Sequence, residues 1–180
     1  MTRLTKFLII SGIAVLTGCS VLAEREMTHE PKNTTKEQSM SMPTVKPTSF
    51  FPVLTTVKLT ECRNFYTQHF GFTVVFETDW YIHLASETGI QLGFLQPNHP
   101  TQPDFLQAAY GGSGLIYSFE VNDIDQEYEK LKKSGIPILL QVKTEEWGQR
   151  HFMIKDPCGM VIDVVQHTEP TDEYKDKYTD

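Results

Sequence analysis

One pattern is written twice along this chain. Val57-Lys-Leu-Thr-Glu-Cys-Arg-Asn-Phe-Tyr-Thr-Gln-His-Phe-Gly71 and Val121-Asn-Asp-Ile-Asp-Gln-Glu-Tyr-Glu-Lys-Leu-Lys-Lys-Ser-Gly135 each run from a strand-ending valine, through a helix, to a glycine fourteen positions later. In the second copy Asp123 is placed to cap the helix while Gln126 reaches back. Ile124, Tyr128 and Leu131 form its apolar stripe, and Gly135 supplies a left-handed terminus. In the first copy Cys62, Phe65 or Tyr66, and Phe70 face the core, with Gly71 as the stop. The match resumes downstream, where Gly89-Ile-Gln-Leu-Gly-Phe-Leu-Gln96 aligns with Gly159-Met-Val-Ile-Asp-Val-Val-Gln166. Each half reads as a strand, a helix and three strands. The strands are expected at 52–58, 73–78, 80–84 and 90–96, then at 115–121, 136–142, 150–155 and 160–166. Pro100, Pro103 and a run of glycines mark 98–113 as the connector. The fold class is α+β: two βαβββ modules, 51–97 and 114–167, in one domain spanning 50–167.

The flanks read differently. Arg3 and Lys6, the apolar run Phe7 to Leu16 and the small residues after it have the layout of a secretory signal peptide over 1–18. The run is shorter than the roughly 20 apolar residues that a membrane crossing needs. Leu16-Thr17-Gly18-Cys19 resembles the bacterial lipobox, whose cysteine becomes the acylated first residue of the mature protein. Palmitate and its sister chains, at about 0.8 kcal/mol per buried methylene, would hold a water-exposed domain on a lipid bilayer. Ser20 resembles the pattern that sorts lipoproteins to the outer membrane, facing the periplasm, in a Gram-negative host. Residues 19–49 lack aromatics and any helix or strand period, and read as a disordered tether. Residues 168–180 read as a charged, loosely packed tail. A net charge of −7 without basic clusters excludes a nucleic-acid partner. Three cysteines cannot all pair with one another, so a disulfide scaffold is excluded. An exported compartment permits a Cys62–Cys158 bond, and the sequence does not place the two side chains.

Three further stretches carry a family resemblance: Asn64-Phe65-Tyr66 to Phe70-Gly71-Phe72, Phe119-Glu120-Val121-Asn122-Asp123-Ile124-Asp125, and Lys155-Asp156-Pro157-Cys158-Gly159. In order, spacing and repetition they resemble the vicinal oxygen chelate superfamily, which includes glyoxalase I, bleomycin-resistance proteins, fosfomycin-resistance enzymes and extradiol dioxygenases. The resemblance implies that both modules wrap a single concave mixed sheet, and that homodimers are common. Catalytic members bind a divalent metal there through side chains from the first and fourth strand of each half. Those positions fall here at Phe51 or Pro52, Gly93, Ile116 and Asp163. Asp163 alone offers a strong ligand atom, and one carboxylate is not a metal site.

Strand alternation places Val161, Asp163 and Val165 on one face, with Gln149, His151 and Met153 facing the same way across the turn. The repeat carries this to Asp79, Tyr81, His83 and Gln91. Together with Trp147 these polar residues form a candidate cleft: Asp79, Tyr81, His83, Gln91, Trp147, Gln149, His151 and Asp163. Three readings follow, one of them an envelope interaction module whose cleft is vestigial. In the first, the cleft binds an unknown small molecule with no cofactor, as the bleomycin-resistance proteins sequester a ligand. In the alternative, a shifted site of His83, His151 and Asp163 holds a divalent metal such as Zn, Ni, Mn or Fe and supports a glyoxalase-like lyase. Trp80 and Trp147 read as core or cleft wall, and equally as ligand contacts. Arg150 reads as a surface ion pair before an anion anchor. His29 and His99 receive no role beyond tether and linker.

Overall fold

The computed structural model describes residues 44–179. The signal peptide, Cys19, His29 and nearly all of the tether lie outside the described residues. The elements follow in order: β1 (Val53–Thr55), α1 (Leu59–His69), β2 (Thr73–Glu77), β3 (Tyr81–Ala85), β4 (Gln91–Leu95), a 3₁₀ turn (Asp104–Leu106), β5 (Ile116–Glu120), α2 (Ile124–Lys133), β6 (Ile138–Glu145), β7 (Gln149–Lys155), β8 (Val161–His167) and α3 (Asp172–Lys175). The repeat is therefore real. Each half builds a four-stranded sheet in the same order, β1-β4-β3-β2 and β5-β8-β7-β6, with one parallel and two antiparallel pairings.

The expected single sheet is two hydrogen-bonded sheets, and the connector lies on the outer edge of β1. Thr56 donates to Leu95 on the β4 side of β1, so the alternating carbonyl of Thr55 points outward, where the Tyr110 amide donates to it at 2.8 Å. A loop on an edge strand satisfies its backbone and stops further pairing.

Helix ends follow the chemistry read from the sequence. The Asp123 carboxylate accepts from the Gln126 amide at 3.0 Å, and Gly71 and Gly135 adopt positive φ. The Ile124 amide is taken by the Gln166 side chain from β8, a long-range partner for an orphan donor of the first turn. One face of each sheet is buried in one shared core, with Leu54, Ile82, Leu84, Leu92 and Phe94 from the first half and Phe119, Phe152, Ile154, Ile162 and Val164 from the second. Phe119 packs on Tyr66, Phe70 and Phe72 of the first half. Cys62, Phe65 and Tyr66 are all buried on α1.

The halves are fastened where α1 meets the β7–β8 turn. Cys62 and Cys158 are disulfide-bonded, with Cα atoms 6.6 Å apart. The Tyr66 hydroxyl donates to Asp156 at 3.0 Å, and the Lys58 ammonium donates to the Pro157 carbonyl at 2.7 Å. Burial pushes the Asp156 carboxyl above the usual carboxylate range despite hydrogen bonds from the Met160 amide and Tyr66. Burial first, then the same carboxylate, raises the Tyr66 phenol, and burial followed by the Asp156 charge pushes Tyr117 up to about 12.

The tail is docked rather than loose. Thr168 donates to the Gly148 carbonyl and Thr171 to that of Glu146, each at 2.9 Å, and the Tyr178 hydroxyl donates to the Trp147 carbonyl. Gly148, at φ 95, makes this approach possible, since a Cβ there would lie 2.9 Å from the Thr168 carbonyl oxygen. No helix among the described residues is long and apolar enough to cross a membrane.

Candidate functional site

The sheet faces turned away from the helices carry most of the polar residues expected in the cleft. In the first half, β3 puts Tyr81 and His83 on this face, and register sets Gln91 diagonal to His83 (His83 opposite Gly93, Ala85 opposite Gln91). The Tyr81 hydroxyl lies 3.1 Å from His83 Nδ1, His83 Nε2 lies 2.8 Å from Gln91 Oε1, and the Gln91 amide nitrogen donates to Ser49 Oγ at 3.2 Å. The Phe51 ring stands edge-on to His83 at 4.7 Å between centroids. Desolvation raises the Tyr81 phenol. A groove of about 310 Å³ runs past Val53, Trp80, Tyr81 and Leu95 and is rimmed by Thr101 and Gln102. His99 stacks on Trp80 at 4.2 Å with 12° between planes, a role that sequence reading did not assign it.

In the second half, His151 is 5 % and Asp163 8 % exposed. His151 Nδ1 lies 2.8 Å from Asp163 Oδ1, and Nε2 lies 3.2 Å from Glu145 Oε1, which is also paired to Lys143. Sequence reading missed Glu145. It ended the sixth strand at 142, whereas β6 continues to Glu145, opposite Gln149. The Trp147 indole donates to Gln149 Oε1 at 2.9 Å.

Asp79 is exposed in the turn before β3, outside both clusters. Arg150 holds Asp125 through two nitrogens, and that hydrogen bonding lowers the Asp125 carboxyl. A surface ion pair is what results. His83, His151 and Asp163 do not form a common set of ligand atoms: His151 and Asp163 pair with each other, while both ring nitrogens of His83 are engaged by Tyr81 and Gln91. Among the described residues, the group of three whose ligand atoms lie within 4.8 Å of one another is Cys62, Asp156 and Cys158, and its two sulfurs are bonded together.

The four positions that the resemblance assigns to metal ligands do not fit an ion. A Cβ on Gly93 would meet the Tyr81 hydroxyl oxygen at 2.7 Å and Val53 at 3.0 Å, so tyrosine fills the space of a fourth-strand ligand. Phe51 lies against His83, Ile116 is half exposed and apolar, and Asp163 is already bound to His151. A second groove, of about 390 Å³, is shared by the halves and carries Gln91 from the first with Ile116 and Ser118 from the second.

The Glyoxalase/Bleomycin resistance protein/Dioxygenase superfamily matches residues 51–164. No curated protein matches the chain in sequence. Among solved structures, a glyoxalase/bleomycin resistance protein/dioxygenase from Nocardioides is similar at TM-score 0.60 and 22% identity, over 71% of this chain and 87% of its own. A lactoylglutathione lyase from Agrobacterium tumefaciens gives 0.54 and 18%, over 67% and 96%. TioX from Micromonospora sp. gives 0.54 and 17%, over 67% and 99%. At these identities the likeness is one of fold.

Proposed function

The chain belongs to the glyoxalase/bleomycin resistance protein/dioxygenase superfamily, and from that premise we propose that it holds a small organic molecule against its cleft faces without recruiting a metal. The observation that carries the reading is the filled ligand position, where the Tyr81 hydroxyl occupies the space over Gly93. Asp163, the one surviving carboxylate, is spent on His151. What remains is a set of grooves with apolar walls and a few fixed polar atoms, the usual composition of a small-molecule site.

The reading includes location. The domain is displayed on a membrane by acylated Cys19, on the periplasmic side of the outer membrane in a Gram-negative host. The Cys62–Cys158 bond supports an oxidising compartment and accounts for two of the chain's three cysteines, leaving Cys19 for the lipid.

Two measurements on the purified protein test the binding reading. Elemental analysis should find no stoichiometric Zn, Ni, Mn or Fe, and a chelator should leave the melting temperature unchanged. A thermal-shift screen of small organic molecules should give stabilising hits, worth about 2.7 kcal/mol at a hundredfold excess over Kd. Bound metal that disappears in a His83→Ala/His151→Ala variant would overturn the metal-free reading. A screen in which nothing stabilises the protein would overturn the binding reading itself.

A further inference from the structure

We propose that the free edge of β5 is a docking strand for an extended, uncharged segment of a partner polypeptide, which adds to the second sheet inside the groove shared by the halves. This goes beyond the small-molecule reading and does not rest on it.

Strand register carries the argument. β5 runs parallel to β8 with Glu120 opposite Val165, and the Val121 amide donates to the Val165 carbonyl at 2.8 Å. Backbone groups alternate in direction along a strand, so Tyr117 and Phe119 turn their amides and carbonyls to β8. Those of Ile116, Ser118 and Glu120 point the other way, and β5 is the end strand of its sheet. Among the described residues, none of these outward groups has a hydrogen-bond partner. The free edge of β1 differs, because there the connector's Tyr110 amide donates to the Thr55 carbonyl. Pro52 lines the same groove as β5 and cannot close it. It has no N–H, and its carbonyl already accepts from the Gly93 amide at 2.9 Å. A row of free donors and acceptors beside a groove is the template that an added strand completes.

The groove sets the chemistry of the occupant. Phe50, Pro52, Ile90, Leu92 and Leu115 wall it beside β5, and no residue that lines it carries a charge. Phe50, Ile90, Leu115 and Ile116 are all exposed, so apolar surface is waiting to be covered there. A lysine or glutamate side chain entering the groove would lose its hydration uncompensated. Valine or leucine side chains would bury apolar surface on both partners. A hydrocarbon chain or a fused ring would cover the same walls but leave the outward amides and carbonyls of β5 desolvated and unpaired. A peptide backbone supplies both missing partners at strand spacing. A second copy of this chain would bring a net charge of −7 against a net charge of the same sign. The occupant is therefore a neutral segment of another protein.

The test uses the full mature chain in detergent micelles and an acetylated, amidated hexapeptide of alternating valine and threonine. Binding is followed by calorimetry and by hydrogen exchange of assigned amides. The hexapeptide should bind saturably and slow exchange at Ile116, Ser118 and Glu120 by about tenfold or more, while the amides of β2, the free edge of the other sheet, stay unchanged. The same peptide with lysine in place of valine should bind about tenfold more weakly, and a fully N-methylated version should not bind. Ser118→Pro removes an outward N–H without touching a bond to β8, and should weaken binding about tenfold. Should that variant fail to fold, the methylated peptide and the exchange pattern decide the matter on the wild type. No binding of the hexapeptide, equal binding of the methylated one, equal slowing at β2, or a dimer that protects the same amides without peptide would each overturn the proposal. If the hexapeptide fails while small molecules raise the melting temperature, the small-molecule reading stands and this inference falls.

Discussion

Gly93 stands where the resemblance expects a metal ligand, and the space over its backbone is already taken. The space a side chain would need holds the Tyr81 hydroxyl at 2.7 Å and its ring carbon Cζ at 3.3 Å from the ideal Cβ. Gly93→Ala must therefore displace a ring that His83 holds in place, and overpacking of this kind costs about 1–3 kcal/mol. Tyr81→Phe removes the offending oxygen and one partly buried hydrogen bond, at about 1 kcal/mol on its own. In the double variant the two changes should cost less than the sum of the singles, by about 1 kcal/mol, because the residues share one space. Urea unfolding of the four proteins measures that coupling. Additive costs would mean that Tyr81 does not sit over Gly93. In the second half the corresponding position keeps a carboxylate, and Asp163 Oδ1 and Glu145 Oε1 bracket one buried histidine.

At the scale of elements, the staple between α1 and the β7–β8 turn is a covalent tie between halves whose sheets do not pair with each other, beside the packing of Phe119 on Tyr66, Phe70 and Phe72. It closes a loop across a sequence separation of 96 residues. The chain-entropy estimate for a loop of this size is about 4–5 kcal/mol. Cys62→Ala/Cys158→Ala, or the wild type under reductant, should lose about that much in chemical unfolding, with the Lys58–Pro157 and Tyr66–Asp156 contacts keeping the halves registered at low denaturant. A loss below about 1 kcal/mol would show that those contacts alone fasten the junction. The elements themselves were largely legible from residues. Period-two alternation placed Tyr81, His83 and Gln91 on one face, and Gln149, His151 and Asp163 on the other half's matching face, because each strand buries one side against a helix. Three things were not legible. The end of β6 lies in a polar run, Lys143 to Glu146, with no apolar residue to mark it. The division into two sheets goes with a long-range contact, Tyr110 of the connector on Thr55 of β1. The docked tail likewise depends on Gly148, far from it in the chain, presenting an open backbone.

For the whole molecule, the distribution of its three cysteines ties location to fold. Two are consumed inside the domain, which is stable with them bonded only where thiols are oxidised. The third, Cys19, stands at the end of a short apolar run too brief to span a bilayer, followed by a segment with no apolar period. An acidic chain of net charge −7 has little electrostatic attraction to anionic headgroups, so the membrane attachment we propose would have to come from hydrocarbon. Several acyl chains at about 0.8 kcal/mol per methylene suffice without any protein contact. Cys19→Ala should therefore move the protein from the membrane fraction to the soluble one and abolish incorporation of radiolabelled palmitate. The released domain should keep its melting temperature, because the buried core lies wholly within Leu54 to Val165. Membrane association that persists in Cys19→Ala would reject acylation as the anchor, and the exposed apolar residues of β2, Val74, Val75 and Phe76, would then be the surface to mutate next.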